Sequence, residues 1–350
     1  MSNSEKNPGG IRVKTLGPGQ LKDWNAYVHK HALGTFCHRA EWHTILENSP
    51  GIKPHYLYAE EEGEIKGVLP LAEVKSLVFG HTLVSTPFCV YGSACADSSD
   101  TRDLLETRAL EIAGDCGVDY VELRNLAASG KNWETKSFYY TFQKALSADA
   151  EENFSAIPRK QRAMVRKGVN NGLVSAVDDD LDDFYRVYSH SLRNLGTPVY
   201  SRKYFETLRE CFADDCIILT VRKDGRAISS VLSFYHDSTV LPYYGGGLPE
   251  ARQLKAHDFM YWELMRRSCE QNISLFDFGR SIEGTGSFSF KKNWGFTPSR
   301  LYYEQKMIRA KSSPDFDPNN SRYRLYIKLW QKLPLPLANF LGPLLARGLA

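Results

Sequence analysis

At 350 residues, with 42% hydrophobic and 24% charged content, the chain has room for two domains with separate cores and reads as a globular protein. A formal charge of +3 is too small for a nucleic-acid binder. Seven scattered cysteines with no C-x-x-C pair fit reduced cytoplasmic thiols better than disulfides or a zinc site.

The opening MSNSEKNPGG is polar and glycine-rich, expected to be a disordered lead-in without the apolar stretch of a signal peptide. No run of 18 apolar residues occurs, so no membrane span is expected. LKDWNAYVHKHAL from Leu21 and RAEWHTILENS from Arg39 have the period of amphipathic helices, and Gly51 and Pro54 end that pattern. From His55, two alternating runs flank a Glu-Glu-Gly-Glu turn, a hairpin in which Gly63 supplies the positive φ. The strand HTLVSTPF, an irregular stretch at Tyr91-Gly92, a helix over Asp100 to Cys116 and the strand Val118 to Leu123 follow.

The same order recurs. A helix over Leu181 to Leu195, the loop GTPVYS and a helix over RKYFETLRECF precede a hairpin, Cys216 to His236, on a Lys-Asp-Gly-Arg turn. Then come the strand TVLPYY, a loop of Gly245, Gly246 and Gly247, a helix from about Ala256 to Cys269, and the strand ISLFDFG. Gly63 corresponds to Gly225, and VDYVELRN (118–125) to ISLFDFGR (273–280). Two copies of one α/β unit are expected, over 11–150 and 173–312. A connecting helix over 151–172 separates them. Five of its nine residues from Arg159 to Lys167 are basic, and Arg159, Arg162 and Arg166 share a face suited to phosphate. A solvated face on a linker is the plainer alternative. The tail, 313–350, has no acid after Asp317; its basic-aromatic and apolar halves either lie in a membrane interface or pack back on the protein.

The chemistry concentrates in Ser274 to Phe296, SLFDFGRSIEGTGSFSFKKNWGF. Asp277 interrupts an apolar strand, and a glycine-rich loop then brings Arg280, Lys291, Lys292 and Trp294. These are candidates to hold a charged substrate: Arg280 against Asp277 or a substrate anion, the lysines on a diphosphate, Trp294 stacked on a sugar or base. Asp277 is a candidate catalytic residue, to orient or deprotonate a bound amine, and is equally readable as a structural carboxylate. The three glycines and the helix start behind them offer amides to an anion or acyl carbonyl, with His257 a candidate base and Asp258 a candidate cap. Tyr200 and Tyr244 are candidates to line the cleft. No P-loop, nucleophile elbow or metal-ligand spacing occurs.

The paired helix–helix–hairpin–strand–helix–strand order, the basic connecting helix and the run AHDFMYWELM…FDFGRS…GTGSFSFKKNWGF resemble the FemAB family, within it the branch associated with the PEP-CTERM and exosortase system. The resemblance spans roughly Thr35 to Tyr303. It implies tandem GNAT-like acyltransferase domains of mixed α/β class, forming an amide bond on an amino sugar or peptide acceptor in exopolysaccharide or cell-envelope assembly. It implies no tightly bound cofactor, with acyl-CoA or aminoacyl-tRNA as co-substrate and tRNA only as acyl donor. The implied partner is a small or lipid-linked envelope precursor, met at the cytoplasmic face of the membrane. GGGLPEARQLKAHD departs from the R-x-x-G-x-G/A pyrophosphate loop of GNAT enzymes, and no long helical hairpin interrupts the second unit. The alternative is a non-catalytic sugar- or lipid-phosphate binding protein of an envelope export system.

Overall fold

The computed structural model describes residues 10–76, 80–136, 138–312 and 321–346. The lead-in 1–9 and most of the linker, 313–320, lie outside the described residues. The chain forms two compact units, one within Met1–Ser137 and Leu301–Asp315, the other within Phe138–Arg300 and Phe316–Ala346.

In the first unit β1 (Arg12–Thr15) precedes α1 (Leu21–Lys30) and α2 (Glu41–Glu47). Trp24 and Trp42 anchor these helices, both fully buried. Their indole N–H groups donate to the carbonyls of His38 (2.6 Å) and Phe36 (3.2 Å), so neither ring leaves a polar atom unsatisfied. After β2 (Ile52–Pro54) come β3 (Leu57–Glu61) and β4 (Glu64–Leu69). Their turn has Glu62 at φ 50° and Gly63 at 85°, the paired positive angles that suit a tight hairpin. β5 (Leu71–Ser76), β6 (Gly80–Ser85) and β7 (Cys95–Ala96) lead to α3 (Ser99–Cys116). The Ser98 hydroxyl caps α3 by accepting the Thr101 N–H, and Gly117 at φ 63° ends it. β8 (Tyr120–Asn125) and β9 (Glu134–Lys136) follow.

The second unit opens with β10 (Tyr139–Ala145), α4 (Ala150–Ala156), the basic α5 (Arg159–Asn170), β11 (Val174–Asp178), α6 (Asp182–Leu195) and α7 (Arg202–Phe212). The hairpin β12 (Cys216–Lys223) and β13 (Arg226–His236) turns on Asp224 (φ 51°) and Gly225 (79°), as its counterpart does. β14 (Thr239–Gly247), α8 (Ala251–Leu254), α9 (Ala256–Glu270), β15 (Leu275–Asp277), β16 (Ser281–Ile282), α10 (Gly286–Asn293) and β17 (Thr297–Arg300) complete its run. β18 (Tyr302–Met307) belongs to the first unit, while α11 (Ser321–Gln331) and α12 (Leu335–Ala346) pack on α6 of the second.

The sheets explain that crossing. In the first unit the order is β2-β5-β6-β8-β18-β9, with β1-β3-β4-β7 as a smaller sheet. In the second it is β11-β12-β13-β14-β15-β10-β16, with β17 also on β10. Each large sheet is antiparallel except for one parallel pair, β6 with β8 and β14 with β15. β10 follows the first unit's strands in sequence yet pairs inside the second sheet, and β18 does the reverse. The first unit thus takes its completing strand from beyond the second, while the second unit begins at β10.

Two expectations change here. Gly245 to Gly247 continue β14, opposite Val231, Ser230 and Ser229, instead of forming a loop. The stretch after Arg280 holds a helix, α10, whose N-cap Thr285 accepts the Phe288 N–H. Its apolar positions Phe288 and Phe290 face the core at an i, i+2 spacing that masks the helical period in sequence.

Candidate active site

The second unit is three layers: α6 and α7 on one face of the sheet, α9 on the other. β14 pairs with β15 only at Thr239↔Leu275 and Val240↔Phe276. From Leu241 to Gly247 its outer edge has no strand partner among the described residues, and Gly245 is exposed. A bulge at Tyr243 shifts the register between Leu232↔Tyr244 and Ser233↔Pro242, turning the end of the strand.

The glycines are there for close approach. A Cβ on Gly247 would lie 2.7 Å from the Cε1 and Nε2 of His257, and one on Gly245 would lie 3.0 Å from the Tyr261 hydroxyl. On the opposite face a Cβ on Gly246 would lie 2.8 Å from Ser191 Cβ and 3.1 Å from Tyr188 Cα. Side chains from two helices therefore press directly on this strand, which any larger residue would push away. His257 and Tyr261 sit one turn apart on α9. Burial pushes the His257 pKa below the ordinary histidine value, leaving a neutral ring at pH 7, and pushes Tyr261 up to about 12. A neutral imidazole with a protonated phenol beside an open strand edge can accept one proton and donate another.

Tyr244 is buried on the α6–α7 face, and its hydroxyl meets that of Tyr204 at 2.8 Å. Tyr200 packs against both rings, tilted to Tyr204 at a centroid distance of 4.8 Å and edge-on to Tyr244 at 6.2 Å. Burial raises the Tyr244 pKa well above that of an ordinary phenol. Sequence reading missed Tyr261, Tyr204 and Ser191. The i, i+4 spacing of His257 and Tyr261 was the only available signal for one of them.

The Asp277 to Trp294 stretch is a brace instead of a substrate grip. Asp277, 1% exposed, accepts from the Gly279 amide (2.7 Å), Gln143 Nε2 (2.9 Å) and Thr141 Oγ1 (3.3 Å). Lys291 spends its ammonium on the carbonyls of Phe278 (2.7 Å), Gly279 (2.9 Å) and Arg280 (3.1 Å), so no donor is left for a diphosphate. Its burial lowers the pKa to about 7, with Asp277 opposing and Arg280 adding to the shift. Trp294 is fully buried, and its Nε1 donates to Asp258 Oδ1 (3.1 Å), which excludes stacking on a sugar or base. Asp258 faces Trp294 and Gln161 of α5 instead of capping α9. Burial raises its pKa. Arg280 and Lys292 remain at the surface, the guanidinium 4.5 Å above the Tyr139 ring and the ammonium 5.8 Å from Phe288.

α5 packs along α8 and α9. Its Asn171 Nδ2 donates to the Leu254 carbonyl (3.1 Å), and Gly168 lies against Phe259 and the Lys255 carbonyl. Arg159 is exposed, and the half-buried Arg162 keeps an Nε with no hydrogen-bond partner among the described residues. Lys255, at φ 61°, separates α8 from α9, whose first amides have no partner within the helix. In the first unit His55, Glu73 and Cys116 bring ligand atoms within 4.8 Å of one another. Lys75 (2.9 Å), His81 (2.7 Å) and His55 (3.4 Å) already surround the Glu73 carboxylate, so the cluster is accounted for by an ion pair and hydrogen bonds.

Residues 155–292 match the acetyltransferase (GNAT) domain family. No curated protein matches the sequence. Among solved structures, FemX superposes with a TM-score of 0.66 at 14% identity, covering 85% of this chain and 98% of its own. The C-terminal domain of an assigned lysylphosphatidylglycerol synthetase from Agrobacterium fabrum gives 0.56 at 13%, covering 81% and 90%. A tandem GNAT protein from the clavulanic acid biosynthesis pathway gives 0.56 at 11%, covering 88% and 100%. At such identities these likenesses concern the fold, which is that of tandem GNAT proteins. The domain match over residues 155–292 adds the chemistry: that stretch is a GNAT domain, which makes the chain an acyltransferase.

Proposed function

We propose that the second unit forms an amide bond between an activated acyl or aminoacyl group and an amine on a small or lipid-linked precursor of the cell envelope. The observation that carries this reading is the uncovered edge of β14, with exposed Gly245 against Tyr261 and Gly247 against a neutral His257. The acyl carbonyl lies along that edge, where backbone amides stabilise the oxyanion. The acceptor amine attacks the carbonyl carbon, His257 takes the amine proton, and the thiolate or ribose alkoxide of the donor leaves and is protonated by the Tyr261 phenol. Asp277 acts from a distance, holding the turn beyond β15. Arg159, Arg162 and the first amides of α9 receive the phosphates of the donor, either acyl-CoA or aminoacyl-tRNA. The FemAB-like fold, and a neighbour whose name includes an aminoacylated lipid, support an envelope acceptor.

Transfer assays with acetyl-CoA and with aminoacyl-tRNA, each against amino-sugar nucleotides, test the reaction. His257→Gln is expected to lower kcat about 100-fold. Full turnover in that variant removes the histidine from the mechanism. Donor binding without transfer to any amine overturns the reading.

A further inference from the structure

The tail helices cover part of the second unit and leave an apolar surface of their own. Seven of the thirteen exposed large apolar side chains among the described residues fall between Leu325 and Leu345, on two consecutive helices that both pack on α6. The mounting is firm. Arg193 Nη1 donates to the Gln331 carbonyl (3.1 Å), and Gln331 Nε2 donates to the Asn194 carbonyl (2.9 Å). Gly196 lies against Ile327, and Gly342 against the backbone of Val199, where added Cβ atoms would come within 2.5 and 2.9 Å. Trp330, Ala338, Gly342 and Ala346 form the buried face. Leu325, Leu329, Leu337, Phe340, Leu344 and Leu345 point outward, Phe340 with 72% of its surface exposed.

Charge identifies what covers this face. Lys328 and Lys332 are exposed beside it, Arg324 precedes them in sequence, and no acidic residue occurs after Asp317. A second copy meeting this face with its own would bring these cations together with nothing to pair them. An anionic lipid surface would pair them and take up the leucines and Phe340. Neither helix is long and apolar enough to cross a membrane. We infer that α11 and α12 form an interfacial platform that seats the second unit on an anionic phospholipid surface. α6 connects this platform to the candidate site, since it holds the tail through Arg193 and Asn194 and backs β14 through Tyr188 and Ser191. The inference does not depend on which amine accepts the acyl group.

Sedimentation of the full chain with phosphatidylglycerol-containing vesicles, and separately with pure phosphatidylcholine vesicles, tests it. The protein is expected to sediment with the anionic vesicles only, and about tenfold less at high salt. The double variant Leu329→Glu/Phe340→Glu, altering exposed positions, should keep its circular dichroism and unfolding temperature while losing vesicle binding. No sedimentation with either vesicle overturns the inference. So does equal recovery with both, or a dimer in light scattering that the double variant abolishes. An unfolded double variant transfers the test to Lys328→Glu/Lys332→Glu, whose unchanged binding would also overturn it.

Discussion

The two units meet the same structural problem at their parallel strand pair and resolve it differently. In the first, Ser85 at the end of β6 accepts the Arg124 amide of β8 (2.8 Å), which joins the strands just beyond Val84↔Glu122. The Arg124 side chain then reaches the Cys89 carbonyl (2.7 Å) and the Glu122 carboxylate (3.1 Å), and Gln305 holds the other Glu122 oxygen (2.6 Å). A cavity of about 130 Å³ remains, lined by His38, Arg102 and Asn125 among others. In the second unit no such arginine joins the strands. Three glycines and a neutral histidine lie along the parted edge instead, and the local carboxylate, Asp277, is held by amide and hydroxyl donors. A buried ion pair makes the first junction a structural joint; among the described residues the second junction has none, and its edge stays open.

The largest effect that would break this comparison is loss of the strands β10 and β18. Cutting the chain between residues 150 and 151 separates β18 from the first unit and β10 from the second. Neither fragment is expected to give a cooperative unfolding transition alone, and both should regain one when mixed. A folded 1–150 fragment would refute the dependence. Next, Glu122→Ala strands the buried Arg124 guanidinium and should cost about 3–5 kcal/mol in urea unfolding, with turnover per folded molecule unchanged.

Lys291 gives the second unit a pH signature of its own. Its pKa is about 7 in the folded chain against 10.5 in a free side chain, so the unfolded state binds more protons between those values. Stability therefore rises with pH through that window, by at most about 2 kcal/mol between pH 7 and roughly 8.5. Lys291→Met should flatten this rise in parallel urea titrations. The smallest effect expected is that of Asp277→Asn. It keeps one acceptor for Gly279 and Thr141 but turns an amide toward Gln143, at about 1–2 kcal/mol. Turnover unchanged apart from that loss leaves Asp277 a positioning residue; a kcat decrease with a shifted pH profile would make it a catalytic one.

Local chemistry made most elements readable. The Glu-Gly and Asp-Gly turns, the basic helix after Pro158 and the long apolar periods all fold where their patterns lie. The candidate site was less readable because cations and flat rings look alike whether they meet a ligand or the protein's own carbonyls. Lys291 and Trp294 have the composition of a binding loop and the surroundings of a core. Gly245 to Gly247 read as a turn because sequence records the missing side chains and not the helices that need the space.

By itself, the sequence determined the duplicated α/β pattern, the hairpin turns, the basic α5 and an unpaired basic-apolar tail, since these follow from backbone preference and hydrophobic period within short windows. Only the tertiary structure decided that β10 joins the second sheet and β18 returns to the first, that α10 and its lysine brace a core, and that His257 and Tyr261 adjoin an open strand. Those outcomes depend on contacts between residues far apart in the chain, where burial and hydrogen-bond satisfaction outweigh local preference.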